Sequence, residues 1–300
     1  MQLPTNKQLR YLIALAEHRH FGRAAAACFV SQSAFSIAIK ELESLLGVQL
    51  VDRTNRRVTI TRIGQEIVTQ ARLCMRDMEG LVELARGSQS PLSGTLFLGA
   101  IPTIAPFILP PVMGKLQQDH PNLKLHVKEG QTEVIYRELL LGELDLLLLA
   151  LPYDLRNVET EPLFKDRFHL AYRQGTTLVD PRNYRPSRLQ AESVLLLEDG
   201  HCLRQHALKA CRIRSLNKVN RYTINSLFTL VQMVDSNLGI TFLPDIALAS
   251  SLLKGTRVRT SPLTDNSFRQ IALIWRKGSS RSSEFKLLGQ FLKAHRPHLA

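Results

Sequence analysis

The sequence predicts two architectures in series: an N-terminal all-α winged helix-turn-helix with a long linker helix, then an α/β domain. Three observations carry this. Helical periodicity dominates the first 90 residues, a small polar stretch (Gly87-Ser88-Gln89-Ser90-Pro91-Leu92-Ser93-Gly94) interrupts the chain, and strand-like and helix-like segments alternate beyond it. With 300 residues, 44% of them hydrophobic, the chain can bury more than one sizeable core. The longest apolar run, Leu144 to Leu151, contains Asp145 and is too short to span a bilayer, and the N-terminus lacks a basic-then-apolar leader. A cytoplasmic protein with no membrane partner is expected, and in that compartment a disulfide that forms is usually catalytic or sensing.

Leu9, Leu12, Ile13 and Ala16 share one face of a first helix, and Gly22-Arg23-Ala24-Ala25-Ala26-Ala27 begins a second. A turn at Phe29-Val30 leads to Ser31, a good N-cap, and a third helix that runs to Leu46 and stops at Gly47. Its expected apolar stripe is Ala34, Ala38, Leu42 and Leu45, and its polar stripe Ser33, Ser36 and Lys40. Gln32, Ser33, Ser36 and Lys40 are therefore candidates to read base edges in a major groove. Leu50 to Ile60 reads as two short strands around a turn near Asn55, with Arg53, Arg56 and Arg57 as candidates for phosphate or minor-groove contact. These elements place a DNA-binding domain at 1–60.

From the N-cap candidate Thr61, apolar residues recur at Ile63, Ile67, Ala71, Cys74, Met78, Leu81 and Ala85, in steps of three and four. Such a seam needs a partner, and a second copy of the chain is the simplest one. Residues 61–90 are read as a dimerising helix and hinge. Cys28 and Cys74 are expected to pack on apolar faces.

Beyond the linker, strands are expected at Thr95–Ile101, Lys124–Lys128 and Asp145–Leu151, and helices at Ala105–Asp119 and Thr132–Leu141, as in parallel α/β folds. A second set follows: strands at Phe168–Tyr172, Val194–Leu197 and Gly239–Leu243, and helices near Cys202–Cys211 and at Ile224–Ser236. A strand at Gln270–Trp275 and a helix at Glu284–Ala294 close the chain.

The net charge of +13 suggests a polyanionic partner, but residues 1–90 hold only 12 Lys+Arg against 8 Asp+Glu, so charge alone does not locate a nucleic-acid site. Two of only four cysteines, Cys202 and Cys211, lie in a stretch with no acidic residue between Asp199 and Asp235, alongside Arg204, Lys209, Arg212, Arg214, Lys218 and Arg221. Positive charge favours a reactive thiolate. Buried helical cysteines are the blander alternative. His201, Cys202, His206 and Cys211 lack compact zinc-type spacing, so no metal and no cofactor are expected. Thr103 either binds a ligand or caps the helix that begins near Ala105.

Phe21-Gly22-Arg23-Ala24-Ala25, Val30-Ser31-Gln32-Ser33, Leu45-Leu46-Gly47-Val48 and Arg53-Thr54 through Thr61 resemble the N-terminal signature of LysR-type transcriptional regulators. The resemblance spans the chain. It implies a two-lobed regulatory domain similar to type 2 periplasmic binding proteins, with lobe I at 91–165 and 269–300 and lobe II at 166–268, the chain crossing near Lys165 and Phe268.

Within that family, Ile101-Pro102-Thr103, Gly130-Gln131-Thr132, Leu197 through Arg204, Cys211 and Gly239-Ile240-Thr241 resemble the peroxide-sensing OxyR group. The resemblance implies that Cys202 is the peroxidatic cysteine and Cys211 the resolving one. It implies peroxide-positioning roles for Thr103, His201, Arg269 and Thr132. Its implied partners are promoter DNA, further copies of the chain in a dimer or tetramer, RNA polymerase, hydrogen peroxide as signal, and thiol reductants for resetting.

The basic run Gln205 to Arg221 departs from that group, as does Asn237 at a position usually small. Two other readings are a LysR-type regulator holding a small anion in the cleft near Thr103 and Thr132, and a thiol peroxidase; the DNA-binding architecture argues against an enzyme. If Cys202 and Cys211 share one helix, nine residues separate them by about 13 to 14 Å, against roughly 4.4 to 6.8 Å between the Cα atoms of a disulfide. That helix must come apart before they bond.

Overall fold

The computed structural model describes residues 2–54, 57–85, 92–263 and 267–296. The chain forms two compact units, one of residues 1–89 and 141–143, the other of 90–140 and 144–300.

The first unit contains α1 (Asn6–His18), α2 (Phe21–Ala27), α3 (Gln32–Leu46), β1 (Val51–Thr54), β2 (Arg57–Ile60) and α4 (Arg62–Ala85). Thr5 and Gln8 close a capping box on α1. The Ser31 hydroxyl accepts from the Ala34 amide at 3.3 Å, and Gly47 ends α3 at φ 68°. The buried face of α3 is Phe35, Ile39 and Leu42, packed with Tyr11, Leu12, Leu15 and Ala24. This corrects the expected stripe, since Ala34 is exposed. Both sets keep helical spacing, but the larger side chains gain more from burial and turn the helix by one residue. β1 and β2 pair antiparallel, Arg53 opposite Val58 and Thr54 opposite Arg57. Asn55 and Arg56 of the expected turn, and 86–91 of the linker, lie outside the described residues.

Helix α4 buries Val68 and Ala71. It leaves Ile63, Met78 and Leu81 exposed at 41%, 46% and 67%. Cys74 is exposed with them rather than packed, because it lies on that outer face; Cys28 is half-buried.

The second unit contains β3 (Gly94–Ala100), α5 (Ala105–Asp119), β4 (Leu123–Glu129), α6 (Thr132–Leu140), β5 (Leu146–Leu151), β6 (Val158–Arg173), α7 (Cys202–Ala210), α8 (Leu227–Asp235), β7 (Thr241–Pro244), α9 (Asp245–Leu248), β8 (Val258–Pro262), β9 (Phe268–Arg276) and α10 (Ser282–His295). The strand order is β4-β3-β5-β9-β6-β7, with β8 on β6. β3 runs parallel to β4 and β5, but β9 returns antiparallel between β5 and β6. The sheet is therefore mixed, not all-parallel. Val194 and Leu197 make isolated bridges rather than a full strand.

Strand β6 pairs with β9 as far as Arg167 and with β7 or β8 from Phe168 onward, so one strand feeds two cores. One core holds Leu96, Leu146 to Leu149, Ile271 to Trp275 and Phe285; the other holds Phe168, Leu170, Val194 to Leu197, Val231 and Phe242. These are the two lobes.

A Cβ on Gly64 would sit 2.2 Å from the Leu50 carbonyl oxygen, whereas one on Gly114 in α5 would meet nothing within 4 Å. Gly64→Ala is expected to destabilise by about 1–3 kcal/mol. Gly114→Ala is expected to be neutral or to stabilise by up to about 1 kcal/mol. Denaturant unfolding of the two variants checks the contrast.

Candidate functional site: a buried thiol at a helix N-terminus

Cys202 is the first residue of α7, after His201 at the N-cap, and is 6% exposed. Gly200 precedes them at φ 98°, and a Cβ there would meet the Gln131 amide oxygen at 2.7 Å, so the approach to the helix requires glycine.

Arg269, near the start of β9, is fully buried. Its Nε donates to Asp166 Oδ2 at 2.8 Å, its Nη1 to Thr103 Oγ1 at 3.0 Å and its Nη2 to the Thr103 carbonyl at 3.0 Å. The second carboxylate oxygen of Asp166 accepts from the Ile246 amide at 3.1 Å. Thr103 is not a helix cap: Ile104 occupies that position in α5, without a side-chain bond. Because its oxygen accepts from Arg269, the Thr103 hydroxyl keeps its proton for another acceptor. Thr132, at the start of α6, is buried, and apart from the Cys202 thiol its hydroxyl has no partner among the described residues.

Burial pushes the Cys202 thiol up. Arg269, the Thr132 hydroxyl and the backbone N–H groups of Cys202 and Leu203 pull it down without overcoming that burial. The resting group is a thiol held among groups that favour its anion. The expected activation by the neighbouring basic run is not what the structure shows. Arg204 donates to the Leu197 carbonyl at 3.1 Å and pairs with Asp199 at 3.0 Å, while Arg212 and Arg214 are exposed. The cation acting on the sulfur is Arg269, distant in sequence.

The structure thus brings together Cys202, Thr103, Thr132 and Arg269. His201 is buried and faces Glu198, Nε2 to Oε1 at 3.9 Å, and burial lowers its pKa. His206, one turn after Cys202, belongs to the site as well; in the sequence it reads only as a weak metal-ligand candidate, although its i+4 spacing places it on the same helix face. It is buried; Nε2 donates to the Pro152 carbonyl at 2.8 Å and Nδ1 has no partner among the described residues. Burial holds its pKa down to about 4, with Arg269 and Lys209 adding to the shift.

Cys211 is the C-cap of α7, and its carbonyl accepts from Tyr184 Oη at 3.3 Å. Burial raises its thiol strongly. Cys202 packs in the core of the first lobe and Cys211 in that of the second, so the intact helix holds the two free thiols in different cores. In the first unit, Gln32, Ser33 and Lys40 are exposed and Ser36 is half-buried on α3. Among the described residues no three His, Cys, Asp or Glu side chains gather as a metal would require, and no helix is long and apolar enough to cross a membrane.

A helix-turn-helix followed by a long helix and a two-lobed α/β unit defines a DNA-binding regulator fold. Residues 6–65 match the lysR family of bacterial regulatory helix-turn-helix proteins, and 89–297 match the LysR substrate binding domain. The chain belongs to the LysR family. It is 40% identical over 293 residues to the HTH-type transcriptional regulator EstR of Acinetobacter baylyi, covering 97% of each chain. It is 36% identical over 288 residues to the DNA-binding transcriptional dual regulator OxyR of Escherichia coli, covering 96% of this chain and 94% of that one. Among solved structures, a full-length OxyR cysteine-to-aspartate variant from Pseudomonas aeruginosa superposes with TM-score 0.79 at 31% identity, covering 99% and 98%. A hydrogen-peroxide-bound OxyR variant from Corynebacterium glutamicum gives TM-score 0.66 at 30% identity, covering 98% and 93%.

The buried His206 sets a pH test. Its folded pKa of about 4 lies below the ordinary 6.5, so between those values the unfolded chain takes up a proton that the folded chain refuses. Its contribution to stability is complete above the upper value and is lost as pH falls toward the lower one, by about 3 kcal/mol. His206→Gln is expected to flatten that part of the stability profile, measured by denaturant unfolding at stepped pH.

Proposed function

We propose that this LysR-family protein is a transcription regulator that senses hydrogen peroxide through Cys202 and answers by a Cys202–Cys211 disulfide. One observation carries the reading: a thiol at a helix N-terminus, closed off from bulk water, faces the Thr132 hydroxyl, which has no other partner among the described residues, and lies beside a guanidinium already oriented by Asp166. Peroxide needs this combination. The sulfur attacks one oxygen and the O–O bond breaks. The thiol proton ends on the departing oxygen, so that thiol plus peroxide gives sulfenic acid plus water. Arg269 stabilises the charge that develops on sulfur and leaving oxygen, and the Thr103 and Thr132 hydroxyls hold the peroxide between them. His201 supports the N-terminal turn through Glu198. Cys211 then attacks the sulfenic sulfur, releasing a second water and forming the disulfide.

DNA is read by Gln32, Ser33, Ser36 and Lys40, with Arg53, Arg56 and Arg57 on phosphates or in the minor groove. The outer face of α4 pairs with a second copy, and dimers associate into a tetramer. RNA polymerase is the downstream partner, cellular thiols reset the disulfide, and the protein works in the cytoplasm without catalytic turnover. The domain limits given above for 1–60, 61–90 and the two lobes belong to this reading.

The direct test is promoter footprinting of wild type and Cys202→Ser, reduced and after brief peroxide, with mass spectrometry of the same samples. The expected result is a changed footprint and a Cys202–Cys211 bond in wild type only, with Thr132→Val slowing disulfide formation about 100-fold. An unchanged footprint with no such bond after stoichiometric peroxide contradicts the reading and favours a regulator that responds to a small anionic metabolite.

A further inference from the structure

The basic run after Cys202 does not act on the sulfur, which leaves its purpose open. Residues 180–192 and 209–221 hold eight Arg or Lys and two carboxylates, Asp180 and Glu192, the second paired with Arg221 at 3.4 Å. The fold lays these two segments side by side in the second lobe. Lys218 Nζ donates to the carbonyls of Pro186 at 2.5 Å and Ser187 at 2.9 Å, and Tyr184 Oη donates to the Cys211 carbonyl at 3.3 Å. Two single 3₁₀ turns, Pro181–Asn183 and Pro186–Arg188, present Arg182, Arg185 and Arg188 at three-residue spacing, all exposed. Arg212 and Arg214 are exposed on the neighbouring segment. Asp180 is occupied in capping, its Oδ1 accepting from the Arg182 amide at 3.0 Å.

We infer that this arginine face is a second DNA-binding surface, one that holds the phosphodiester backbone of a duplex without reading its sequence. Planar guanidinium forks match phosphate oxygens in pairs, and the face is built almost wholly from Arg. Prolines hold its turns, so little ordering entropy is lost on contact. The large exposed apolar side chain among these residues is Leu216, too little for the apolar centre of a protein–protein interface. The DNA bound by the first unit of the same chain raises the local concentration of this ligand. The inference rests on the reading of the chain as a DNA-binding regulator and is independent of peroxide chemistry.

The experiment titrates full-length protein, under reducing conditions, against a fluorescently labelled random-sequence duplex at several salt concentrations. Three proteins are compared: wild type, Arg182→Ser/Arg185→Ser/Arg188→Ser, and the equal-charge control Lys124→Ser/Lys277→Ser/Lys286→Ser on the other lobe. All six substitutions are at exposed positions, and circular dichroism verifies folding. Each lost phosphate contact reduces the slope of log affinity against log salt by about 0.9, so the arginine variant is expected to lose about 2–3 in slope while the control keeps the wild-type value. Equal slopes in both variants, with wild type binding, overturn the inference alone and point the face toward an acidic protein. No binding by wild type overturns the DNA-binding reading together with it.

Discussion

The regulatory unit depends on one buried ion pair. Asp166 and Arg269 are both fully buried, and their 2.8 Å bond joins β6 to β9 near the change of pairing partner on β6. Arg269 also holds the loop before α5 through both oxygens of Thr103, and Asp166 holds the start of α9 through the Ile246 amide. A pair in such a place is a poor source of net stability, because desolvation offsets most of the attraction. Breaking it is costly, since the surviving charge is left buried without a partner. Its value is positional: it sets a guanidinium beside Cys202 at the cost of a fully desolvated carboxylate.

From that constraint the rest of the site follows. The thiol is buried to exclude water, which disfavours its anion, and the fixed positive charge with the α7 amides acts against that penalty. Helix α7 then spans two cores, with Cys202 in one and Cys211 in the other. Intact, it keeps two thiols apart; joined by a disulfide, they require the helix to unwind and both cores to repack locally. In the proposed mechanism a chemical event on one sulfur becomes a change of shape, because packed cores switch between discrete arrangements rather than deform continuously.

Much of this was legible in the residues. The bounds expected for α5 match those found, the uninterrupted Leu146 to Leu149 is buried on both faces, and the helix expected near Cys202–Cys211 runs from Cys202 to Ala210. These are local signals: apolar periodicity, caps and run length. The first half of β6 escaped notice, because Glu159, Glu161 and Pro162 break the apolar alternation and the strand is defined by pairing with β9 across a bulge at Pro162/Phe164. The packed stripe of α3 was misjudged by one residue, since two stripes satisfied the same spacing and side-chain volume chose between them. Charge density along the chain suggested activation by Arg204 and its neighbours, yet the charge that matters comes from Arg269, brought in by the sheet. Local sequence reports which charges are present; topology decides which of them a buried atom meets.

The central claim is that oxidation at Cys202 takes apart α7. Hydrogen exchange of the backbone amides of residues 202–211, before and after one equivalent of peroxide, tests this directly. Wild type is expected to lose protection across that helix, while Cys211→Ser, able to form only the sulfenic acid, keeps it. Unchanged protection in wild type, with the disulfide verified in the same sample, would show that α7 survives oxidation and contradict the proposed switch.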